Sequence, residues 1–155
     1  MSVKMFFKNL IVTLINLFFR IFGITLFQII NRKEIWLRML YYQSAESKEL
    51  TRIWRPYNRT GGEKSFKAGD VVDLRFIKMP GNDQYGIPPV FKPISIKVKI
   101  RFACCVQISK LKRSDFLGSG PFIHDQKSLL HELSIIYDLK PEKIETATFF
   151  DLEYL

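Results

Sequence analysis

The chain has 155 residues, 47% of them apolar, which fits one globular domain and excludes a largely disordered protein. Its formal net charge is +9, and the positive charge lies in the first two thirds: residues 1–60 hold 10 Lys/Arg and 3 acids, residues 61–113 hold 11 and 4, and residues 114–155 hold 3 and 8. A basic face of this kind suits RNA, DNA or an anionic membrane, although a merely solvated basic surface is the plain alternative.

Cysteine usage bears on the compartment. The two cysteines, Cys104 and Cys105, are neighbours, and on a strand they would point to opposite faces, so the sequence provides no disulfide framework. No cleavage-site signature follows the apolar N-terminal segment. We therefore expect a reducing, cytoplasmic location.

The first 30 residues form an apolar segment with two possible structures. Fifteen of the 21 residues in 10–30 are large and apolar, which is enough to span a bilayer and would make the protein membrane-associated. However, Arg20 lies in the middle of this run, and its β-branched start is typical of a buried strand. The alternative is that residues 1–30 supply the first strand and first helix of the domain.

The middle of the chain alternates between strands and polar loops. Residues 34–42 predict a strand, and residues 44–64 predict mostly loop, with one helical turn near residues 46–51 as an option. The Gly69-Asp70 turn leads into a predicted strand over residues 71–78. After a second loop, residues 94–108 predict a strand in which apolar residues alternate with cations.

The C-terminal third predicts one helix and one strand. Asp125 is a good N-cap for a helix ending at Tyr137, Pro141 follows as a stop, and Thr146–Tyr154 predicts the last strand. The predicted order is β-α-β-β-β-α-β. This order favours an α+β fold, a small β-barrel with two or three helices.

Blocks of sequence spread over residues 31–155 together resemble those of a known family. They are Lys33 with Arg38, residues 66–70 (FKAGD), residues 106–111, residues 114–116, the helix over residues 129–133 with Tyr137, and residues 147–152. In this order and spacing the chain resembles the ASCH domain family, whose β-barrel is related to PUA RNA-binding domains. The resemblance implies an ASCH-like domain over residues 31–155 with a small PUA-like barrel.

The resemblance also implies a basic cleft that binds RNA or a nucleotide. Lys33 would end the first helix and Arg38 would lie on the next strand beside the cleft, where an ammonium and a forked guanidinium suit phosphate oxygens. Arg75 belongs to the same candidate set. The alternative for Arg38 is a structural ion pair with Asp70 or Asp73.

A hydrolase is the enzymatic alternative. Some ASCH proteins resemble amidohydrolases that deacetylate acetylcytidine through a lysine, a threonine three residues later and a glutamate. Lys33 matches, but Trp36 occupies the threonine position, and Asp73 is the nearest acid on the central strands. A hydrolase of the amidohydrolase or ribonuclease type centred on Lys33 therefore stands beside non-catalytic binding, with no reaction assigned. Trp36 would either block the pocket or stack on a base.

Residues 54–59 interleave aromatic and cationic side chains, which is typical of single-stranded RNA recognition, although such rings also anchor loops to a core. The candidate ligand-binding residues are Lys33, Trp36, Arg38, Trp54, Arg55, Tyr57, Arg59 and Arg75. His124 and His131 would lie about 10.5 Å apart along a helix, too far for one metal ion. We expect no metal and no cofactor; the expected partner is RNA or a nucleotide, with a membrane possible through the N-terminal segment.

Overall fold

Six β-strands and two α-helices make up residues 33–62 and 65–155, the part of the chain that the computed structural model describes. The strands are β1 (Lys33–Arg38), β2 (Arg52–Pro56), β3 (Val71–Met79), β4 (Val90–Phe91), β5 (Ile96–Gln107) and β6 (Thr146–Tyr154), and the helices are α1 (Tyr42–Glu46) and α2 (Gln126–Tyr137). The predicted α+β class is confirmed. Both predictions for the apolar segment 1–30 lie outside the described residues.

One sheet organises the strands in the order β1-β3-β5-β6-β2, with β4 paired to β3. The β3–β5, β5–β6 and β2–β6 pairs are antiparallel. β1 and β2 are the edges of this sheet, and the described residues form no ladder between them, so the predicted barrel is not confirmed. A side chain bridges the gap instead, because Arg55 of β2 donates a hydrogen bond of 3.0 Å to the carbonyl of Trp36 in β1.

The strands with regular alternation were predictable. β3, β5 and β6 agree with the predicted segments, and in β5 Val98 and Ile100 are buried whereas Lys97 and Lys99 are exposed. The predicted turn also forms: Gly69 adopts a φ of +94°, and the backbone N–H of Lys67 donates to the Asp70 carboxylate at 2.8 Å. A positive φ of this size suits glycine, which explains the residue at this position.

The prediction of a loop over residues 44–64 is wrong at β2. Ile53 and Trp54 are consecutive and both buried, so the strand lacks the polar–apolar alternation that marks a half-exposed strand. Pro56 also disfavours a strand, but β2 lies at a sheet edge, where a missing N–H is tolerated. The predicted strand over residues 34–42 is shorter than expected, because β1 ends at Arg38 and the chain continues through a 3-10 turn into α1.

Two groups of buried side chains fill the interior. The larger group includes Ile53 and Phe150, and the second group includes Trp54 together with Leu129 and Leu133 of α2. Because Ile53 and Trp54 point to opposite faces of β2, this strand contributes to both groups. Helix α2 therefore packs on the β2 end of the sheet, next to its open edge.

Helix α2 begins as predicted. The Asp125 carboxylate accepts a hydrogen bond of 2.7 Å from the backbone N–H of Ser128, and the Ser128 hydroxyl accepts one of 3.0 Å from the backbone N–H of Asp125. Hydrogen bonds from the backbone and side chain of Ser128 to this carboxylate lower the pKa of Asp125. The buried face of α2 carries Glu132 beside Leu129 and Leu133, so the helix brings a carboxylate to the sheet edge.

Candidate functional site

Arg38 pairs with an acid that the sequence analysis did not consider for it. Its Nη2 donates to Oε2 of Glu132 at 2.8 Å, and the Glu132 side chain is only 7% exposed. The alternative of an ion pair with Asp70 or Asp73 is therefore wrong. A carboxylate does pair with Arg38, but it belongs to Glu132 of α2, far along the chain.

Tyr41 completes this contact. Its hydroxyl donates to the same Glu132 oxygen at 2.9 Å. Burial, and to a lesser extent this hydrogen bond, raises the pKa of Tyr41 well above its usual value. The phenol therefore stays protonated and remains a donor at physiological pH. We refer to Arg38, Tyr41, Glu132 and the neighbouring Trp54 as the α2 junction.

A sequence signal for Glu132 exists. The residue lies three positions after Leu129 and one before Leu133, on the apolar stripe that packs against the sheet. A charged residue on such a stripe requires a buried partner. The pattern indicates that a partner exists but does not identify Arg38.

Trp54 is part of the packed interior and not of a ligand surface. The residue is 3% exposed, its Nε1 donates to Ser119 Oγ at 2.8 Å, and its ring lies 5.3 Å from that of Phe149. A ring enclosed in this way has no free face on which a base could stack. The buried Trp54 is therefore not a candidate ligand-binding residue in this structure.

Arg55, the next residue, occupies a different environment. Its Nη1 donates to the Trp54 carbonyl at 3.1 Å and its Nη2 to the Trp36 carbonyl at 3.0 Å, while its guanidinium carbon lies 6.0 Å from the centre of the Tyr137 ring. Burial lowers the pKa of Arg55, but a guanidinium keeps its charge in proteins. Two of its five N–H groups have these neutral partners, and no carboxylate of the described residues pairs with it.

Arg55 lines an open cavity of about 420 Å³. The other lining residues are Asn58, Arg59, Gly62, Ser65, Phe66, Tyr137 and Phe150. None of these is acidic, and three carry aromatic rings; two of them, Phe66 and Phe150, meet edge to face with 5.6 Å between ring centres. The cavity thus combines two guanidinium groups with aromatic walls.

Arg59 is held at this cavity by a buried threonine. The backbone N–H of Arg59 donates to Thr148 Oγ1 at 2.9 Å, and that hydroxyl donates to the Tyr57 carbonyl at 2.7 Å. Arg59 Nε donates to the Pro56 carbonyl at 3.2 Å, so its guanidinium also has a neutral partner. Tyr57 is partly exposed but does not line the cavity.

Three other predicted residues lie elsewhere on the sheet. Trp36 is half exposed, donates to Glu34 at 3.1 Å and meets the Phe91 ring at 5.0 Å. Arg75 donates to the same Glu34 carboxylate at 3.1 Å and lies over Phe91. Lys33 begins β1, and neither it nor Trp36 nor Arg75 lines the cavity. The predicted set therefore divides. Arg55 and Arg59 line this cavity, and Arg55 also lines a second, smaller one together with the buried Trp54.

Residues 33–62 and 65–155 lack both a cluster of metal ligands and a membrane-spanning helix. No group of three or more His, Cys, Asp or Glu side chains in this part is placed to hold a metal ion. None of its helices combines the length and the hydropathy required of a membrane span.

Comparison with known proteins gives a fold and no family. No family model matches the sequence, and no curated protein matches it. The hypothetical protein PH0355 is similar in structure, with a TM-score of 0.53 and 15% identity over 80% of this chain and 99% of its own. Protein EF3133 from Enterococcus faecalis, assigned to the family DUF984, has a TM-score of 0.50 and 12% identity over 99% of this chain and 92% of its own. At these identities the likeness concerns the fold alone.

Proposed function

We propose that this chain is an ASCH-like module that binds RNA or a nucleotide in the cavity lined by Arg55 and Arg59. The sequence blocks over residues 31–155 support the family, and the mixed α+β sheet is compatible with it. The Arg55 bridge between β1 and β2 supports the view that the sheet curves toward the PUA-like barrel of that family. The membrane alternative for residues 1–30 is separate from this proposal.

The observation that carries the proposal is how the arginines of the domain are partnered. Arg38, Arg52 and Arg75 each form an ion pair with a carboxylate. By contrast, the guanidinium groups of Arg55 and Arg59 hydrogen-bond to backbone carbonyls, and no described acid lines their cavity. Carbonyl contacts fix these groups in place without cancelling their charge, so the cavity favours an anion.

The remaining walls favour an anion that carries an aromatic group. Tyr137 and Phe66 provide ring surfaces, the buried Phe150 supports Phe66 edge to face, and the Asn58 side chain adds an amide at the same cavity. A base stacks on aromatic side chains while arginines contact its phosphates, as in single-stranded nucleic acid binding. The volume of about 420 Å³ falls in the range of small-ligand pockets, which suits one nucleotide or one unstacked base of an RNA strand.

Binding of fluorescein-labelled single-stranded RNA to the full chain, followed by fluorescence anisotropy at several salt concentrations, tests the proposal. We expect binding at low salt that weakens steeply as salt is added, because phosphate contacts release counterions. An unlabelled mononucleotide that displaces the RNA would identify the cavity as a single-nucleotide site. Absence of binding at the lowest salt concentration would refute the proposal.

A further inference from the structure

The hairpin between β3 and β4 exposes large apolar side chains. It consists of residues 79–94, which contain β4 and the turn before it. Its large apolar residues that are at least 44% exposed are Met79, Tyr85, Ile87, Val90 and Ile94, and Tyr85 reaches 76%. Exposed apolar side chains grouped on one hairpin in this way mark an interaction site for protein or lipid.

The tip of this hairpin is a turn closed by its own backbone hydrogen bonds. Asn82 and Ile87 exchange two backbone hydrogen bonds, with the Asn82 N–H donating at 2.8 Å and the Ile87 N–H at 2.9 Å. The Asn82 side chain accepts from the Gln84 N–H at 3.0 Å, and Gly86 adopts a φ of +64° that closes the turn. The turn therefore satisfies much of its own backbone while its apolar side chains point outward.

The neck of the hairpin is equally tight. A Cβ atom on Gly81 would lie 2.5 Å from the Ile87 carbonyl oxygen and 2.7 Å from Pro89 N, so only glycine fits there. Pro80, Pro88, Pro89 and Pro93 have no backbone N–H to satisfy. Few free peptide donors and an internally bonded tip are what a loop needs at a lipid surface, where unsatisfied backbone groups are costly.

Two cations flank the hairpin. Lys78 precedes it on β3 and Lys92 follows β4, whereas Asp83 is the one acid within residues 79–94. The cations of β5 lie farther away, because β5 pairs with the start of β3. Lys92 is held in place, with its Nζ 3.5 Å from the centre of the Tyr42 ring. Cations flanking an exposed aromatic and aliphatic tip match the headgroups of anionic lipids.

We infer that the tip of this hairpin inserts into the surface of an anionic lipid bilayer. The satisfied backbone, the prolines and the flanking cations favour lipid over a protein partner, which would gain from free backbone groups. The sequence adds an independent observation, since an apolar run of bilayer length ends three residues before Lys33. The hairpin contributes no residue to the arginine cavity, so this inference does not rest on the proposed function.

Tryptophan quenching by lipids tests the inference on the full chain. The background carries Trp36→Phe, which retains an aromatic ring beside Phe91, and the buried Trp54 serves as an internal reference. One reporter adds Tyr85→Trp, and its matched control adds Leu117→Trp at another loop position that is also 76% exposed. Each protein is mixed with vesicles of phosphatidylglycerol and phosphatidylcholine that contain doxyl-labelled lipid.

We expect doxyl lipid to quench the Tyr85→Trp reporter and to leave the Leu117→Trp reporter unchanged. Tyr85→Ser with Ile87→Ser should lower vesicle partitioning about tenfold, because two apolar side chains are lost from the contact. Vesicle binding without quenching at position 85, equal quenching of both reporters, or no vesicle binding would each overturn the inference. A dimer in light scattering that the double serine variant converts to monomer would also overturn it, in favour of a second copy as the partner.

Discussion

The α2 junction and the arginine cavity lie close together on β1, β2 and α2, yet they treat charge in opposite ways. In the junction, Arg38 and Tyr41 both donate to Glu132, and the cation faces an anion. In the cavity, the guanidinium groups of Arg55 and Arg59 meet carbonyl oxygens, and no described acid lines the wall. The groups that an arginine contacts, more than its being an arginine, therefore decide whether its charge is used within the fold or is available to a ligand.

The largest expected effect is a loss of stability at Trp54, and it tests whether this side chain belongs to the packed interior. Trp54→Ala should lower the free energy of unfolding by about 4 kcal/mol, because it empties a buried aromatic site and leaves Ser119 without its donor. Chemical denaturation measures this loss. Trp36→Ala, at a half-exposed ring, is the matched control and should cost much less. Similar losses for both variants would contradict the assignment of Trp54 to the core.

The next effect concerns the ion pair of the α2 junction. Glu132→Ala should destabilise the fold by about 3 kcal/mol, since it leaves Arg38 and the Tyr41 hydroxyl without their acceptor. The value lies at the low end for buried pairs because the Arg38 side chain is 31% exposed. Urea unfolding of Glu132→Ala, Arg38→Met and the double variant gives the coupling energy. Additive losses would show that the pair does not couple.

A smaller effect tests the bridge across the open sheet edge. Arg55→Lys keeps the charge but loses the planar fork that reaches both the Trp54 and Trp36 carbonyls. We expect a loss of about 1–2 kcal/mol in the free energy of unfolding, corresponding to one or two hydrogen bonds. Hydrogen exchange should quicken at β1 and β2 and stay unchanged in the centre of β5. Unchanged exchange at both edge strands would show that the bridge does not hold them.

Local patterns predicted the central strands and α2, and non-local contacts account for most of what the sequence left open. β5 alternates cleanly and Asp125 caps α2 through its near neighbour Ser128, so both features can be read from a short window. The ion pair between Arg38 and Glu132 joins residues 94 positions apart, which no short window contains.

The segment 54–59 shows the same limit within a few residues. Interleaved rings and cations suit both a stacking loop and a strand that buries its ring, and the pattern does not distinguish them. Both environments occur on β2, because Trp54 faces the interior whereas Arg55 lines the cavity. Three aromatic residues from distant segments also line this cavity, and no short stretch of sequence groups them. They are Phe66, Tyr137 and Phe150.

The most direct test of the arginine cavity is the salt dependence of single-stranded RNA binding by three proteins: the unaltered chain, Arg59→Gln and Arg101→Gln. Arg101 is an exposed arginine of β5 that does not line the cavity, which makes it the matched control. For Arg59→Gln we predict that the slope of log K against log salt becomes shallower by about 0.7, the value for one lost phosphate contact on a single strand. The slope for Arg101→Gln should equal that of the unaltered chain. Equal slopes for the unaltered chain and Arg59→Gln, or a larger change for Arg101→Gln, would contradict the cavity as the binding site.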